Sequence, residues 1–153
     1  MRKIIKIGII LFLLGIVAAT GTYFYVFHKP HRNIEKEKPA YEICAKDLYD
    51  EFNEDEITSY EKYGNKVIQV TGAVVEFELK ENGASLVYVD PFEGINCAFD
   101  STTVIKEKNE LSTIHIGNVV TIKGKCDGFD MIMGVVLTRC VLLERNQFIS
   151  SVN

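Results

Sequence analysis

Residues 66–79 read KVIQVTGAVVEFEL. Ile68 and Val70 alternate with Gln69 and Thr71, whereas Val75, Phe77 and Leu79 alternate with Glu76 and Glu78. Side chains along a strand repeat every two residues. An apolar set that changes parity between Val74 and Val75 therefore demands a β-bulge or a sharp bend, placed here just after Gly72. One strand then serves two sheet directions, as the first strand of a small closed barrel does.

The flanking residues extend this pattern. Glu81, Asn82 and Gly83 supply a hairpin turn, because Asn-Gly readily takes positive φ angles, and a second strand is predicted over residues 84–89. After a loop at 90–94, Ile95, Cys97 and Phe99 alternate in a third strand. Val104, Lys108 and Leu111 recur at helical spacing and predict a short helix within residues 101–114. Gly117 precedes a fourth strand, with Val120, Ile122, Gly124 and Cys126 on one face and Thr121, Lys123 and Lys125 on the other. Residues 127–130 are predicted as a turn and residues 131–143 as the fifth strand. Upstream, Leu48, Tyr49, Phe52, Ile57, Tyr60 and Tyr63 form an apolar stripe among Asp47, Asp50, Glu51, Glu54 and Glu61. That is an amphipathic helix packed on a core, kinked or broken near Asn53 and closed by Gly64 and Asn65.

Five strands with a bent first strand, a helix between the third and fourth, and an N-terminal amphipathic helix define a mainly β chain, a five-stranded OB-fold barrel. The order of Leu48, Asn53-Glu54, Tyr63-Gly64-Asn65-Lys66, Val70-Thr71-Gly72, Cys97-x-Phe99, Gly117-x-x-Val120, Gly124-Lys125-Cys126-Asp127-Gly128 and Leu137-x-x-Cys140 resembles the tRNA_anti-like OB-fold family of small bacterial envelope proteins. The resemblance covers residues 48–142. It implies an exported, membrane-tethered OB domain with no established reaction. Lipoprotein anchoring is common in such proteins. This chain departs from it, having no cysteine just after its apolar run.

That run, from Ile7 to Phe27, holds 21 consecutive uncharged residues. A helix of about 20 such residues crosses a hydrocarbon core, and Tyr23, Phe24, Tyr25 and Phe27 suit the headgroup level at its end. A cleaved signal peptide is the alternative, given Arg2, Lys3, Lys6 and the small residues Val17-Ala18-Ala19. The apolar run continues past Ala19, which favours a retained transmembrane anchor. The expected organisation is a basic tail (1–6), the anchor (7–27), a charged tether reading HKPHRNIEKEKPA (28–40), the OB domain (41–146) and a C-terminal tail (147–153). Lys29, Arg32, Lys36 and Lys38 follow the run, so basic residues flank it on both sides. The short basic tail is placed inside the cell, and the OB domain outside the cytoplasm at the cell membrane.

From Tyr41 to Asn153, 10 Lys and Arg face 19 Asp and Glu, a balance of −9 with histidines neutral. Phosphate backbones are gripped by basic grooves, so this balance disfavours nucleic acid. His28 and His31 lie in the tether and His115 stands alone, which leaves no catalytic or metal-binding constellation. The expectation is a non-enzymatic binding module without cofactor or metal. OB barrels bind across strands two and three and the flanking loops, making Tyr88 and Phe92 the candidate ligand face, with Phe99 pointing inward. An envelope protein, a glycan or a small ligand is the expected partner. The alternative is single-stranded nucleic acid stacked on Tyr88, Phe92 and Phe99.

The cysteines at 44, 97, 126 and 140 contain no Cys-x-x-Cys pair, so neither a zinc site nor a redox motif has the required spacing. Alternation turns Cys97, Cys126 and Cys140 inward, Cys140 together with Val136 and Leu142. Buried thiols acting as small hydrophobes are one reading and at least one disulfide, open to an exported domain, is the other; four cysteines allow three complete pairings. Cys97 and Cys126 would each lie on a strand next to that of Cys140. Cys126 with Cys140 is the candidate disulfide.

Overall fold

The parity switch is a β-bulge. The computed structural model describes residues 14–18, 20–23, 34–90 and 94–146, with side chains described to residue 143. Its elements, in chain order, are β1 (Tyr41–Cys44), α1 (Ala45–Glu54), α2 (Glu56–Tyr63), β2 (Val67–Lys80), β3 (Gly83–Tyr88), β4 (Ile95–Phe99), α3 (Ser101–Leu111), β5 (Val119–Asp130) and β6 (Gly134–Asn146). The first half of β2, from Val67 to Ala73, pairs antiparallel with β5. Its second half, from Val74 to Lys80, pairs antiparallel with β3, and the register slips between Val74 and Glu76. β3 continues antiparallel to β4, β4 runs parallel to β6, and β6 returns antiparallel to β5. The circuit β2-β3-β4-β6-β5 closes on β2 as a five-stranded barrel.

The bulge falls at Val75 rather than directly after Gly72. Gly72 has another task. A Cβ there would stand 2.6 Å from the Ala45 Cβ and 3.0 Å from the Tyr88 ring, so only a glycine lets α1 and β3 close over β2 at this point. Residues 41–44, to which no strand was assigned from sequence, pair in parallel with Ile68–Thr71, the part of β2 that β3 does not reach.

The break expected near Asn53 falls at Asp55 (φ −152°, ψ 94°), whose Oδ1 accepts the Thr58 N–H at 3.0 Å and starts a second helix. The break resets the helical phase. Leu48 and Phe52 are buried from α1, but α2 buries only Ser59 and Tyr63, so Ile57 and Tyr60 are exposed rather than packed on the core. Tyr63 meets Tyr41 edge-on, with ring centroids 5.1 Å apart, and donates its hydroxyl to Glu51 Oε2 at 2.9 Å.

Part of the stretch read as a tether lies on the barrel. Ile34 is buried, Ala40 N–H donates to the Val67 carbonyl at 2.8 Å, and Glu35 pairs with Lys106 of α3. Lys123, on the face of β5 opposite Val120 and Ile122, is only 6% exposed, because Nζ donates to the carbonyls of Glu35 at 2.8 Å and Glu37 at 3.0 Å. A buried ammonium needs such acceptors.

The β5–β6 turn comes later than predicted. Residues 127–130 stay in β5, with Gly128 at φ +109° beside a register shift. The chain reverses at residues 131–133, where Asp130 Oδ1 accepts the N–H groups of Ile132 and Met133 at 2.8 and 3.0 Å. In β6, Val135, Leu137 and Cys140 are buried and Val136 is not. Cys140 thus does not share Val136's face, because Arg139 takes φ 52° and shifts the alternation by one residue.

The chain divides into two units, residues 1–32 and 33–153. In the first, residues 14–18 and 20–23 are helical. The expected anchor at 7–27 otherwise lies outside the described residues, as does the tail at 147–153. Among the described residues no helix is long and apolar enough to cross a membrane.

Gly72→Ala should cost ~1–3 kcal/mol by overpacking, read as a lower denaturation midpoint; an unchanged midpoint would show that Ala45 and Tyr88 yield freely. Asp100 caps α3 by accepting the Thr103 N–H at 2.8 Å, so Asp100→Ala should cost ~1 kcal/mol. Burial raises the Asp100 pKa, but hydrogen bonds from Thr103 and Thr102 and the charge of Arg139 outweigh it and hold the carboxyl below its ordinary 3.8. Its stabilisation is therefore complete above that value and lost as pH falls through the depressed one. Unfolding measured at successively lower pH should show Asp100→Asn with a shallower acid loss than the parent.

Candidate ligand-binding face

Alternation divides the barrel strands into inner and outer side chains. Leu86, Tyr88, Ile95, Cys97, Phe99, Val135 and Leu137 form the core, with Phe77 and Leu79 packed against it. The outer side chains fall into two rows of cross-strand neighbours. Glu78, Ser85 and Ala98 make the first, and Glu76, Val87, Asn96 and Val136 the second. Side chains directly opposite stand about 5 Å apart, so each row is a continuous strip across three or four strands.

The face is small and acidic. Glu76, Glu78 and Ala98 are exposed, while Ser85, Asn96 and Val136 are half-buried. Val87 is 5% exposed despite its outward position, screened by its neighbours. Lys80 pairs with Glu78 at 2.8 Å and adds a cation at the margin. The turn after Lys80 borders the first row. Beyond the second lies the β5–β6 tip, where Met131 and Ile132 are 92% and 82% exposed and Asn96 Nδ2 donates to the Met133 carbonyl at 2.9 Å. Carboxylates, short polar groups and an apolar tip can receive a partner carrying basic and apolar groups.

Tyr88, expected on this face, is in the core. It pairs with Val74 at the inward register, is fully buried, and donates its hydroxyl to the Val120 carbonyl at 2.9 Å. Burial pushes the phenol pKa far up and keeps the donor protonated. Phe92 lies outside the described residues. Phe99 points inward as expected. The outer row residues Ser85, Val87, Asn96 and Ala98 were missed by a search for aromatic stacking groups. Their signal was the alternation itself, which sets them opposite Leu86, Tyr88, Cys97 and Phe99.

All four cysteines are free thiols, with Cys44 exposed and the others buried. Cys126 does not partner Cys140 as expected. Burial pushes its thiol up to about 11, and its polar contact is with the Gly128 backbone. The thiol that meets Cys140 is Cys97, itself raised by burial and by that neighbour. Among the described residues no three His, Cys, Asp or Glu side chains gather to hold a metal.

A closed five-stranded barrel with this outer face and these two bordering loops is an OB-fold domain. The tRNA_anti-like family model matches residues 1–142, and the chain belongs to that family. Among solved structures, a candidate nucleic acid-binding lipoprotein from Klebsiella pneumoniae subsp. pneumoniae superposes with a TM-score of 0.54 at 14% identity, covering 67% of this chain and 91% of that one. The S. pombe Stn1–Ten1 complex gives 0.37 at 21% identity over 51% and 58% of the two chains. A lysozyme-bound OBody gives 0.41 at 13% identity over 54% and 86%. The first likeness supports the fold, and the other two are too remote to bear on function. No curated protein matches the sequence.

Because Tyr88 serves the core, Tyr88→Phe should lower stability by ~1 kcal/mol through the lost hydrogen bond. Denaturation of parent and variant in parallel reads the loss, and an unchanged midpoint would show that the Val120 carbonyl finds another donor.

Proposed function

We propose that this protein is a non-enzymatic OB module of the cell envelope, anchored by residues 7–27 with its barrel outside the cytoplasm, that binds a protein partner across its outer face. The observation that carries the reading is the pair of rows Glu78–Ser85–Ala98 and Glu76–Val87–Asn96–Val136. Extended polypeptide lies well along such a strip, and Glu76 and Glu78 attract basic side chains while repelling phosphates. The exposed Met131 and Ile132 add an adaptable apolar contact at the edge. The anchor reading rests on the uncharged run from Ile7 to Phe27. Within it, Thr20 and Thr22 direct their hydroxyls to the carbonyls of Ile16 and Ala18, which lowers the cost of a hydroxyl in lipid.

Single-stranded nucleic acid is the second reading. The description of the Klebsiella protein favours it, and the two glutamates oppose it. Titration of the full-length protein in detergent with labelled oligonucleotides at low salt separates the two. The expected result is no saturable binding, whereas saturable, salt-sensitive binding would replace the protein-partner reading. Topology has its own test, because Cys44 is the exposed thiol of the four. A membrane-impermeant maleimide added to cells with a sealed cytoplasmic membrane should label Cys44. Labelling only after lysis would place the barrel in the cytoplasm.

A further inference from the structure

Cys97 and Cys140 stand on β4 and β6, parallel neighbours in the barrel wall, and both are buried. Cys97 is paired with Leu137, whose side chain points inward. Three residues further along an uninterrupted strand, Cys140 would point outward. The left-handed Arg139 (φ 52°) takes up one residue and turns Cys140 into the core. On β5 the position facing this bulge is Gly124, where a Cβ would lie 2.7 Å from the Cys140 sulfur. Cys140 is thereby turned into the core that also holds Cys97, and as a neighbour it adds to the upward push of burial on the Cys97 thiol. A left-handed arginine and a glycine without which Cys140 would not fit both serve to place its sulfur in the same core as that of Cys97.

We infer that Cys97 and Cys140 are a modification site: they join as an intramolecular disulfide between β4 and β6 when the chain folds in the presence of a disulfide oxidant. With oxidised glutathione, one cysteine thiolate attacks the glutathione S–S bond and forms a mixed disulfide. One glutathione thiolate leaves and takes up the released proton. The second cysteine thiolate then attacks the mixed disulfide, forms the Cys97–Cys140 bond, and expels the second glutathione as a thiol. Two protein thiols are oxidised and one glutathione disulfide is reduced.

Burial sets when this can happen. Cys97 is 1% exposed and Cys140 0%, so an oxidant reaches them only before β4 and β6 close or during transient opening. The pair therefore records the redox conditions under which the barrel folded. Cys44 and Cys126 have no share in it.

The test uses the full chain in detergent, unfolded and reduced, then refolded with or without oxidised glutathione. Free thiols are alkylated under denaturing conditions, and peptides are mapped by mass spectrometry without reduction. A peptide pair linking Cys97 to Cys140, with Cys44 and Cys126 alkylated, is the expected result. Four alkylated cysteines after oxidative refolding, or a link from Cys140 to Cys126, would overturn the proposal. Adding the oxidant after folding should form the same link roughly 100-fold or more slowly; equal rates would contradict the burial argument. Cys126→Ser should retain the link and Cys97→Ser should lose it. Should Cys97→Ser fail to fold, the parent map and Cys126→Ser still decide the pairing.

Discussion

β2 has to satisfy two neighbours that lie in different directions. Its first seven residues bond to β5 and its last seven to β3, with the bulge at Val75 between them. Without that turn the sheet would stay open, leaving edges with unpaired backbone groups. Closure brings Ile68, Val70 and Val74 from one strand into the same interior as Leu86, Ile95, Ile122 and Leu137 from the others. Each large aliphatic side chain buried in this way contributes about 1.5–3 kcal/mol. Gly72 works just before the bulge, where α1 and Tyr88 close over the strand with no room for a side chain.

Among the buried polar groups, Tyr88 and Lys123 each have main-chain partners. Tyr88 spans the barrel interior to the Val120 carbonyl, and Lys123 holds the segment around Glu35 and Glu37 by its main chain. Among the described residues no buried side-chain nitrogen or oxygen lacks a hydrogen-bond partner. A polar group removed from water without a partner is costly, so these bonds select one arrangement of the strands and of the N-terminal strap. The strap also joins α3 through Glu35 and Lys106, so residues often read as linker belong to the domain's packing.

Alternation supplies the chemistry of the outer face as well as the core. The same strands that bury Leu86, Cys97 and Leu137 expose Glu76, Glu78 and Ala98 as cross-strand neighbours. Family membership and barrel closure agree on the domain type. Among the described residues, the two outer rows carry carboxylates and short side chains. Met131 and Ile132 at the adjoining tip extend it with an apolar element.

Much of this was legible along the chain, because strand alternation and turn chemistry are local. The parity change near Gly72, the Asn-Gly hairpin, the five strands and the inward-pointing Cys97, Phe99 and Cys126 all follow from spacing of two. What local pattern could not resolve were the places where the backbone resets its own phase. The helix break near Asn53 was legible but not that it frees Ile57 and Tyr60, Gly128 carried β5 past the expected turn, and Arg139 reversed the parity of β6. Tyr88 was legible from its alternation with Ser85 and Val87, but its chemical type suggested a stacking surface. The uncharged run at residues 7–27 and the acidic balance of the domain are properties of sequence alone, since they depend only on which residues are present. The partners of Lys123, the meeting of Cys97 with Cys140 and the composition of the outer face depended on strand register. Register is set by pairing between residues far apart in the chain, and only the closed barrel brings those residues together.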